Sequence, residues 1–358
     1  MALRLSALAG GGITIGQAVF LEDTQPSDLT IYGRRYLQSG NIETDESLFD
    51  TSIFTAKTVS AQNAETSSFG ASDINAVAFG NGVFVAVGGS GKIATSTNRT
   101  SWTQRSNGFS GNISGVVFGL GLFVAVGAGG EMYSSPDGIT WTSRDADLGV
   151  TNINDIAFGD DDFICAGNTG AISTSTDGIN WTSQTLGATP TILSCSVGGG
   201  VFIITSSAGV LYSSPDGVTW TSRTSSFGSS TINASAYGNG FHVISGVSGK
   251  VASSQDGITW TLRTGVLSTA TLTSCDFVNG IFLVGSISGG LMISPLGTTW
   301  TEITGTPATV SIYSSVSDGI DAVYVGESGE LSSLTVSGYA GSQTAHAENG
   351  ENQYIRIS

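Results

Sequence analysis

The stretch that decides the fold runs from Ile113 to Arg144 and reads ISGVVFGLGLFVAVGAGGEMYSSPDGITWTSR. Runs of β-branched and aromatic residues are interrupted at short intervals by Gly or Asp-Gly, a pattern that predicts short strands joined by tight turns. We expect four strands, at about Ile113 to Phe118, Leu122 to Val126, Glu131 to Ser135 and Thr140 to Arg144. Because no part of the stretch has a helical period, the unit is predicted to be a four-stranded sheet.

The same pattern recurs along the chain, and tryptophan marks its period. The tryptophans lie about 40 residues apart, and a repeat of this length with one fixed aromatic residue is typical of the blades of a β-propeller. They are Trp102, Trp141, Trp181, Trp220, Trp260 and Trp300. The sequence therefore predicts an all-β propeller of four-stranded blades.

A seventh unit, from Ile312 to Leu334, repeats the first three strands but lacks the last strand and the tryptophan. Propellers usually complete such a blade with a strand from the other end of the domain, because an unpaired edge exposes backbone amides. Residues 52–57 have a suitable apolar-polar pattern, so we expect them to supply this strand. The predicted organisation is an N-terminal anchoring segment (1–50), a seven-bladed propeller (52–336) and a C-terminal tail (337–358) that packs with the N-terminal segment.

The turn before each tryptophan carries the most specific motif, which reads SPDGITW in its clearest copy. We expect the aspartate to bind backbone N–H groups of the turn, the glycine to take a positive φ and the tryptophan to pack on the sheet. Four copies keep both residues: Asp137 with Trp141, Asp177 with Trp181, Asp216 with Trp220, and Asp256 with Trp260. Asn98-Arg99 and Leu296-Gly297 replace Asp-Gly in the first and sixth copies, whose turns we expect to be less well held.

This motif resembles the Asp-box, or BNR repeat, of sialidases, other glycosidases and many non-enzymatic propellers. The resemblance implies the propeller architecture, whereas activity must be argued from the site. A sialidase would need three arginines facing the axis. Instead the arginines follow the blade tryptophans three residues later, which places Arg105, Arg144, Arg223 and Arg263 on the outermost strands.

We therefore expect no catalytic residues, although one class of enzyme stays open. His242 and His346 have no partner pattern for a nucleophile relay or a metal site. A glycoside hydrolase or lyase could use carboxylates from distant chain positions, and the candidates near inner strands are Asp155, Asp276, Asp318 and Asp321.

Composition excludes further classes of function. The chain has 12 basic and 28 acidic residues, a net charge of −16, which argues against nucleic-acid binding. Cys165, Cys195 and Cys275 are widely separated and predict buried small side chains, with no disulfide framework. We expect no metal and no cofactor. The apolar start is too short for a signal peptide and too rich in glycine for a membrane helix, so we expect cytoplasmic synthesis, no secretion and no membrane insertion.

Two sets of residues are candidates for binding. The first would ring the mouth of the channel, following the first apolar residue of each inner strand: Asn75, Ser114, Asn154, Asn233, Thr273 and Tyr313. The second lies in the connections between blades and would add apolar contacts: Phe109, Leu148, Leu186, Phe227 and Leu267. The ring could bind a sugar or a partner loop, or it could satisfy backbone groups where the inner strands begin.

The segment YLQSGNIETD, from Tyr36 to Asp45, resembles the N-terminal regions of tailed-bacteriophage virion proteins, including tail fibres and adhesins. The resemblance implies a virion structural protein, in a symmetric oligomer, whose residues 1–50 and 337–358 contact other virion proteins. Its propeller would bind a host surface glycan or protein, or a neighbouring virion protein. One alternative is a non-enzymatic scaffold that resembles photosystem-assembly factors and binds protein partners. The other is the carboxylate hydrolase or lyase.

Overall fold

The computed structural model describes residues 28–31, 34–37, 42–44, 58–64, 67–303 and 310–337. Two compact units are formed, one from Met1–Thr58 with Ser337–Ser358 and the other from Val59–Val336. Regular structure in the described ranges consists of β-strands and one-turn 3-10 segments. None of these ranges contains a helix long and apolar enough to cross a membrane.

The first unit contains a three-stranded antiparallel sheet. Its strands are β1 (Asp28–Ile31), β2 (Arg34–Leu37) and β3 (Ile42–Thr44), with β2 in the centre. The segment that resembles phage proteins supplies the end of β2 and all of β3, and Tyr36 pairs with Ile42 in this register. The tail that is predicted to pack with the N-terminal segment lies, after residue 337, outside the described residues.

The second unit is a seven-bladed propeller of four-stranded antiparallel sheets, which confirms the predicted fold. In the first six blades the chain runs from the innermost strand outwards. The first three blades are β5 (Ile74–Gly80), β6 (Val83–Gly88), β7 (Ile93–Ser96) and β8 (Thr103–Arg105); β9 (Ile113–Gly119), β10 (Leu122–Gly127), β11 (Glu131–Ser135) and β12 (Thr142–Asp145); and β13 (Ile153–Gly159), β14 (Asp162–Gly167), β15 (Ala171–Ser175) and β16 (Thr182–Thr185). The next three are β17 (Ile192–Gly198), β18 (Val201–Ser206), β19 (Leu211–Ser214) and β20 (Thr221–Arg223); β21 (Ile232–Gly238), β22 (Phe241–Gly246), β23 (Val251–Ser254) and β24 (Thr261–Arg263); and β25 (Asp276–Val278), β26 (Ile281–Gly285), β27 (Leu291–Ser294) and β28 (Thr301–Ile303).

The seventh blade combines both ends of the propeller. It contains β29 (Ile312–Ser317), β30 (Asp321–Gly326) and β31 (Leu331–Ser337), and its outermost strand is β4 (Thr58–Ala64). An N-terminal strand therefore closes the ring, but it comes directly after residues 52–57, which lie outside the described residues. The prediction favoured an apolar segment, whereas outer strands here are polar, as in TSRD and TSQT, and the β4 sequence TVSAQNA matches them better.

Because the four strands of each blade form an antiparallel meander, the two faces of the propeller carry different connections. The hairpin face is formed by the connections from first to second and from third to fourth strands. The linker face carries the connections from second to third strands and those between blades. Hydrogen bonds link the two kinds of turn on the hairpin face: Asn81 Nδ2 donates to Pro136 O (3.1 Å), and Asn239 Nδ2 donates to Pro295 O (2.9 Å).

The turn that precedes each tryptophan, called the Asp-Gly turn below, packs on the preceding blade. Gly138 has a φ of +71°, and a Cβ there would lie 2.6 Å from Val85 Cγ2 of the first blade. Glycine is therefore required both by the turn and by the close approach of the blades.

Internal hydrogen bonds hold these turns as predicted. Asp137 Oδ1 accepts from the N–H groups of Ile139 (2.8 Å) and Thr140 (2.9 Å), and Trp141 Nε1 donates to Gly138 O (3.1 Å). In the first blade Asn98 Oδ1 does the same for two N–H groups, so that turn is better held than expected. In the sixth blade Leu296 has no such oxygen, and the turn keeps the bond from Gly297 N to Ser294 Oγ (2.8 Å).

Candidate functional site

The innermost strands of all seven blades line a central channel with a volume of about 550 Å³. Each innermost strand is the edge of its sheet, so alternate backbone N–H and C=O groups lack a strand partner. Such groups need hydrogen bonds from side chains or water. The channel wall is therefore the place where polar side chains have a structural use as well as a possible chemical one.

The predicted ring residues bind the neighbouring blade. Asn75 and Asn154 each donate from Nδ2 to the carbonyl of the first inner-strand residue of the next blade, and Asn233 donates to the carbonyl of Leu272, ahead of β25, all at 2.7 Å. The hydroxyl groups of Ser114 and Thr273 make the equivalent bond, to Ile153 O and Ile312 O. These contacts support the interpretation that the ring satisfies backbone groups and joins the blades.

Tyr313 completes the predicted ring in the seventh blade. It lines the channel, and its phenol has a raised pKa because the side chain is partly buried. A hydrogen bond with Ser311 opposes part of this rise. In the fourth blade the ring position is occupied by Leu193, which interrupts the polar series.

The predicted apolar loop contacts pack inwards. Phe227 is only 1% exposed and belongs to a buried cluster. Phe109 packs against Tyr133 with ring centroids 4.5 Å apart and the rings tilted, and Leu148 and Leu186 pack against the cores between blades. Leu267 lies beside Gly290. These five apolar side chains cover the ends of the blade interfaces and do not form an exposed binding surface.

Two of the four candidate carboxylates line the channel, and both bind the next blade. Asp155 Oδ2 accepts from Cys195 N (2.8 Å), and Asp276 Oδ2 accepts from the N–H (2.9 Å) and the hydroxyl (3.0 Å) of Ser315. Sequence reasoning missed a third member of this series, Ser194, whose Oγ accepts from Ser235 N (3.1 Å). Its signal was a serine two residues after the first residue of the inner strand, the position that Asp155 occupies in the third blade.

The channel environment changes the acidity of both carboxyl groups. Burial raises the pKa of Asp155 to about 6, against the lowering effect of its backbone hydrogen bonds. Burial raises the pKa of Asp276 to about 7, and the negative charge of Asp155 contributes to that rise. Carboxyl groups that titrate near neutral pH can serve as general acids, so these two residues are the channel groups best suited to proton transfer.

The other two candidates lie elsewhere. Asp318 and Asp321 are on the hairpin face, where Arg99 Nη1 approaches their carboxylates at 2.7 Å and 3.2 Å. The structure therefore separates the four carboxylates into a channel pair and a surface pair, and the surface pair is neutralised in part by one arginine.

The histidine and the cysteines of the propeller, which could also be reactive, are buried among other side chains. His242 is 1% exposed and replaces the phenylalanine of other blades, with its ring 4.7 Å from Tyr237 and 6.4 Å from Trp260. Burial lowers its pKa to about 4. The three cysteines are buried and unpaired, and burial raises the pKa of their thiols. Residues 67–303 and 310–337 contain no group of three or more His, Cys, Asp or Glu placed to hold a metal ion.

The periodic arginines lie on the outermost strands, as predicted. Arg105 Nε donates to Thr95 Oγ1, and Arg144, Arg223 and Arg263 each donate to a serine hydroxyl on the adjacent third strand, all at 2.8 Å. Gln184 makes the equivalent contact in the third blade. None of these five side chains faces the channel.

Comparison with known proteins agrees with this architecture. Residues 56–185, less than half of the chain, match the model of a family described as the DUF6242 beta propeller domain. None of the curated proteins matches the sequence.

Many solved structures are similar in fold. A structure of YCF48 bound to D1 peptide has a TM-score of 0.62 and 17% identity, covering 78% of this chain and 95% of that one. YCF48 from Cyanidioschyzon merolae has a TM-score of 0.61 and 18% identity, covering 77% and 99%. The WD40 beta propeller domain of Doa1 has a TM-score of 0.64 and 13% identity, covering 78% and 96%. At these identities the likeness establishes a β-propeller fold alone.

Proposed function

We propose that the chain is a non-catalytic structural protein of a tailed-phage virion, in which the propeller binds a partner and the terminal segments anchor it. The non-catalytic part of the proposal is supported by what the polar side chains of the channel wall bind. The amides, hydroxyls and carboxylates that line it bind backbone groups of the next blade, and this use favours a rigid scaffold. The virion part rests on the segment from Tyr36 to Asp45, which resembles the anchoring regions of phage proteins.

Quantitative mass spectrometry of purified particles tests this proposal. We expect the chain in every particle preparation, at a constant ratio to the major structural proteins after repeated density-gradient purification. Its presence in infected cells together with its loss from purified particles would contradict a virion role.

A second candidate is a scaffold that binds protein partners during assembly. The observation in its favour is the similarity in fold to YCF48, one structure of which contains a bound peptide. An assembly factor should be associated with immature complexes and absent from finished particles. The same mass-spectrometric comparison, applied to assembly intermediates and mature particles, separates the two candidates.

A third candidate is a carboxylate-dependent hydrolase or lyase, favoured by the near-neutral pKa values of Asp155 and Asp276. It requires the wild-type protein to cleave a polysaccharide, with the activity lost in Asp155→Asn or Asp276→Asn. Under the non-catalytic proposal, the wild-type protein leaves a panel of surface polysaccharides intact.

A further inference from the structure

The hairpin face carries a series of exposed aliphatic side chains. Four of them occupy the same position, directly after the glycine of the Asp-Gly turn, in four successive blades. Two more lie in the hairpins between first and second strands. The six residues, between 39% and 72% exposed, are Leu120, Ile139, Ile179, Val218, Ile258 and Ile320. In the first and sixth blades the equivalent turn residues are Thr100 and Thr298, so the turn itself does not require an aliphatic residue.

One of these side chains is held in an unfavourable backbone conformation. Leu120 has a φ of +50°, in the left-handed region, where Asn81, Asn239 and Asn279 occupy the equivalent position in other blades. Asparagine tolerates this region, whereas a bulky apolar residue there is strained. Strained and exposed residues concentrate at functional sites, and Leu120 lies on the same face as the aliphatic residues of the Asp-Gly turns.

Charge is unevenly distributed between the two ends of the propeller. The hairpin face carries the aspartates of the four complete Asp-Gly turns, the triplet Asp160–Asp162, and the pair Asp318 and Asp321. Within the described part of the chain, Arg99 is its single cationic residue, and it is bound to that pair. The other described cations of the propeller, Lys92, Lys250 and the outer-strand arginines, lie towards the linker face, because they are at or beside the linker-face ends of their strands.

From this combination we propose that the hairpin face is the protein-binding surface of the propeller, and that its partner presents lysine or arginine side chains around an aliphatic patch. The inference rests on the proposed binding function and specifies its surface and partner. Each aliphatic residue would form a desolvated contact, and the carboxylates in the same turns and hairpins would orient and attract a basic partner. Nucleic acid and anionic lipid are repelled by the same carboxylates.

The test compares two variants of the full chain. In the first, Ile139→Thr, Ile179→Thr, Val218→Thr and Ile258→Thr are combined, which gives these turns the residue already present in the first and sixth blades. The matched control combines Val150→Thr and Ile287→Thr, exposed aliphatic residues on the linker face. Circular dichroism and thermal unfolding establish that both variants fold.

Binding is measured by fluorescence anisotropy with three labelled 20-residue peptides, composed of Lys and Leu, of Lys and Ser, and of Glu and Leu. We expect the Lys-Leu peptide to bind the wild type and the control with equal affinity, and to bind the hairpin-face variant at least ten times more weakly. High salt should weaken the binding to the wild type. Lack of binding, equal binding of the Glu-Leu peptide, or an unchanged affinity of the hairpin-face variant would overturn the proposal. Self-association of the wild type that the hairpin-face variant abolishes would also overturn it, because the occupant would then be a second copy.

Carbodiimide cross-linking in the native assembly provides a second measurement, since it joins carboxylates to amines of a bound partner. Partner lysines linked to Asp160, Asp161 or Asp162 support the inference. Links confined to linker-face carboxylates such as Glu131 and Asp145 contradict it, while the presence of the chain in the particle still supports the proposed virion role. The two proposals therefore fail independently.

Discussion

Asp276 of the sixth blade accepts two hydrogen bonds at Oδ2 from Ser315 of the seventh, one from the backbone N–H at 2.9 Å and one from the hydroxyl at 3.0 Å. The contact joins the last regular blade to the blade that closes the ring. Because the same carboxyl group has a pKa raised to about 7, the stability of this joint depends on pH.

Asp155 and Asp276 are expected to make the protein more stable as the pH falls from about 7 to about 4. Their folded-state pKa values of about 6 and about 7 exceed the ordinary 3.8, so in this range the native state binds more protons than the unfolded state. Asp276→Asn should therefore flatten the pH dependence of the free energy of unfolding by on the order of 2 kcal/mol. Urea unfolding of both proteins at pH 4.5 and 7.5 measures this difference in pH dependence.

The control for the loss of a carboxyl group is Glu302→Gln, which changes an exposed residue on an outer strand. An Asp276→Asn protein that keeps the wild-type pH dependence would show that the carboxyl group titrates as it does in water.

His242→Phe is expected to stabilise the protein, and more so in acid. The folded-state pKa of about 4 lies below the ordinary 6.5, so the unfolded state binds the extra proton and stability falls as the pH drops from about 6.5 to about 4. Phenylalanine fills the equivalent position in other blades, where Phe163 packs on Trp181. We expect a gain of about 2 kcal/mol at pH 4.5 and a smaller one at pH 7.5. An equal gain at both pH values would contradict the account.

Asp137→Ala is expected to lower the free energy of unfolding by about 1 kcal/mol, because the N–H groups of Ile139 and Thr140 lose their acceptor. Asp137→Asn is the matched control, since Asn98 holds the equivalent turn of the first blade through its amide oxygen. Denaturant unfolding should place the asparagine variant close to the wild type. Equal losses in both variants would show that the charge, and not the acceptor, holds the turn.

Gly138→Ala and Gly121→Ala separate backbone conformation from blade packing. Both glycines have positive φ, +71° at Gly138 and +78° at Gly121. A Cβ at Gly138 would lie 2.6 Å from Val85 Cγ2, whereas a Cβ at Gly121 would have no neighbouring atom within 4 Å. We expect Gly121→Ala to destabilise by about 1 kcal/mol and Gly138→Ala by clearly more. Similar losses, measured by thermal unfolding, would mean that the blades move apart at little cost.

Leu120→Asn is expected to raise stability by roughly 0.5–1 kcal/mol while weakening the binding of the basic peptide. The change relieves the left-handed strain of leucine and removes an exposed aliphatic side chain. Unfolding and peptide anisotropy on the same preparation provide both readouts. A variant that loses stability would contradict the strain argument.

The tryptophan period and the glycine turns were sufficient to predict the blades, because each unit repeats the same local chemistry. Residues 52–57 were chosen for their apolar pattern, yet the polar segment Thr58–Ala64 closes the ring, since an outer strand has only one neighbour and much solvent. The arginines were placed correctly on outer strands because their distance from tryptophan is constant.

Contacts between blades were harder to predict. The bond from Asn75 to Ile113 joins the second residue of one inner strand to the first residue of the next. The sequence allowed this bond but could not distinguish it from a ring of amides that face the open channel. The raised pKa values of Asp155 and Asp276 depend on a channel formed by all seven blades, which no single repeat contains. The charge difference between the two faces becomes visible only when each turn is assigned to its end of the meander.

Cryo-electron microscopy of the purified virion tests the central claim most directly. We expect seven-bladed densities at symmetry-related positions, each with its hairpin face against a basic protein surface. A particle that lacks the chain altogether, by density and by mass spectrometry, would contradict the proposed virion role.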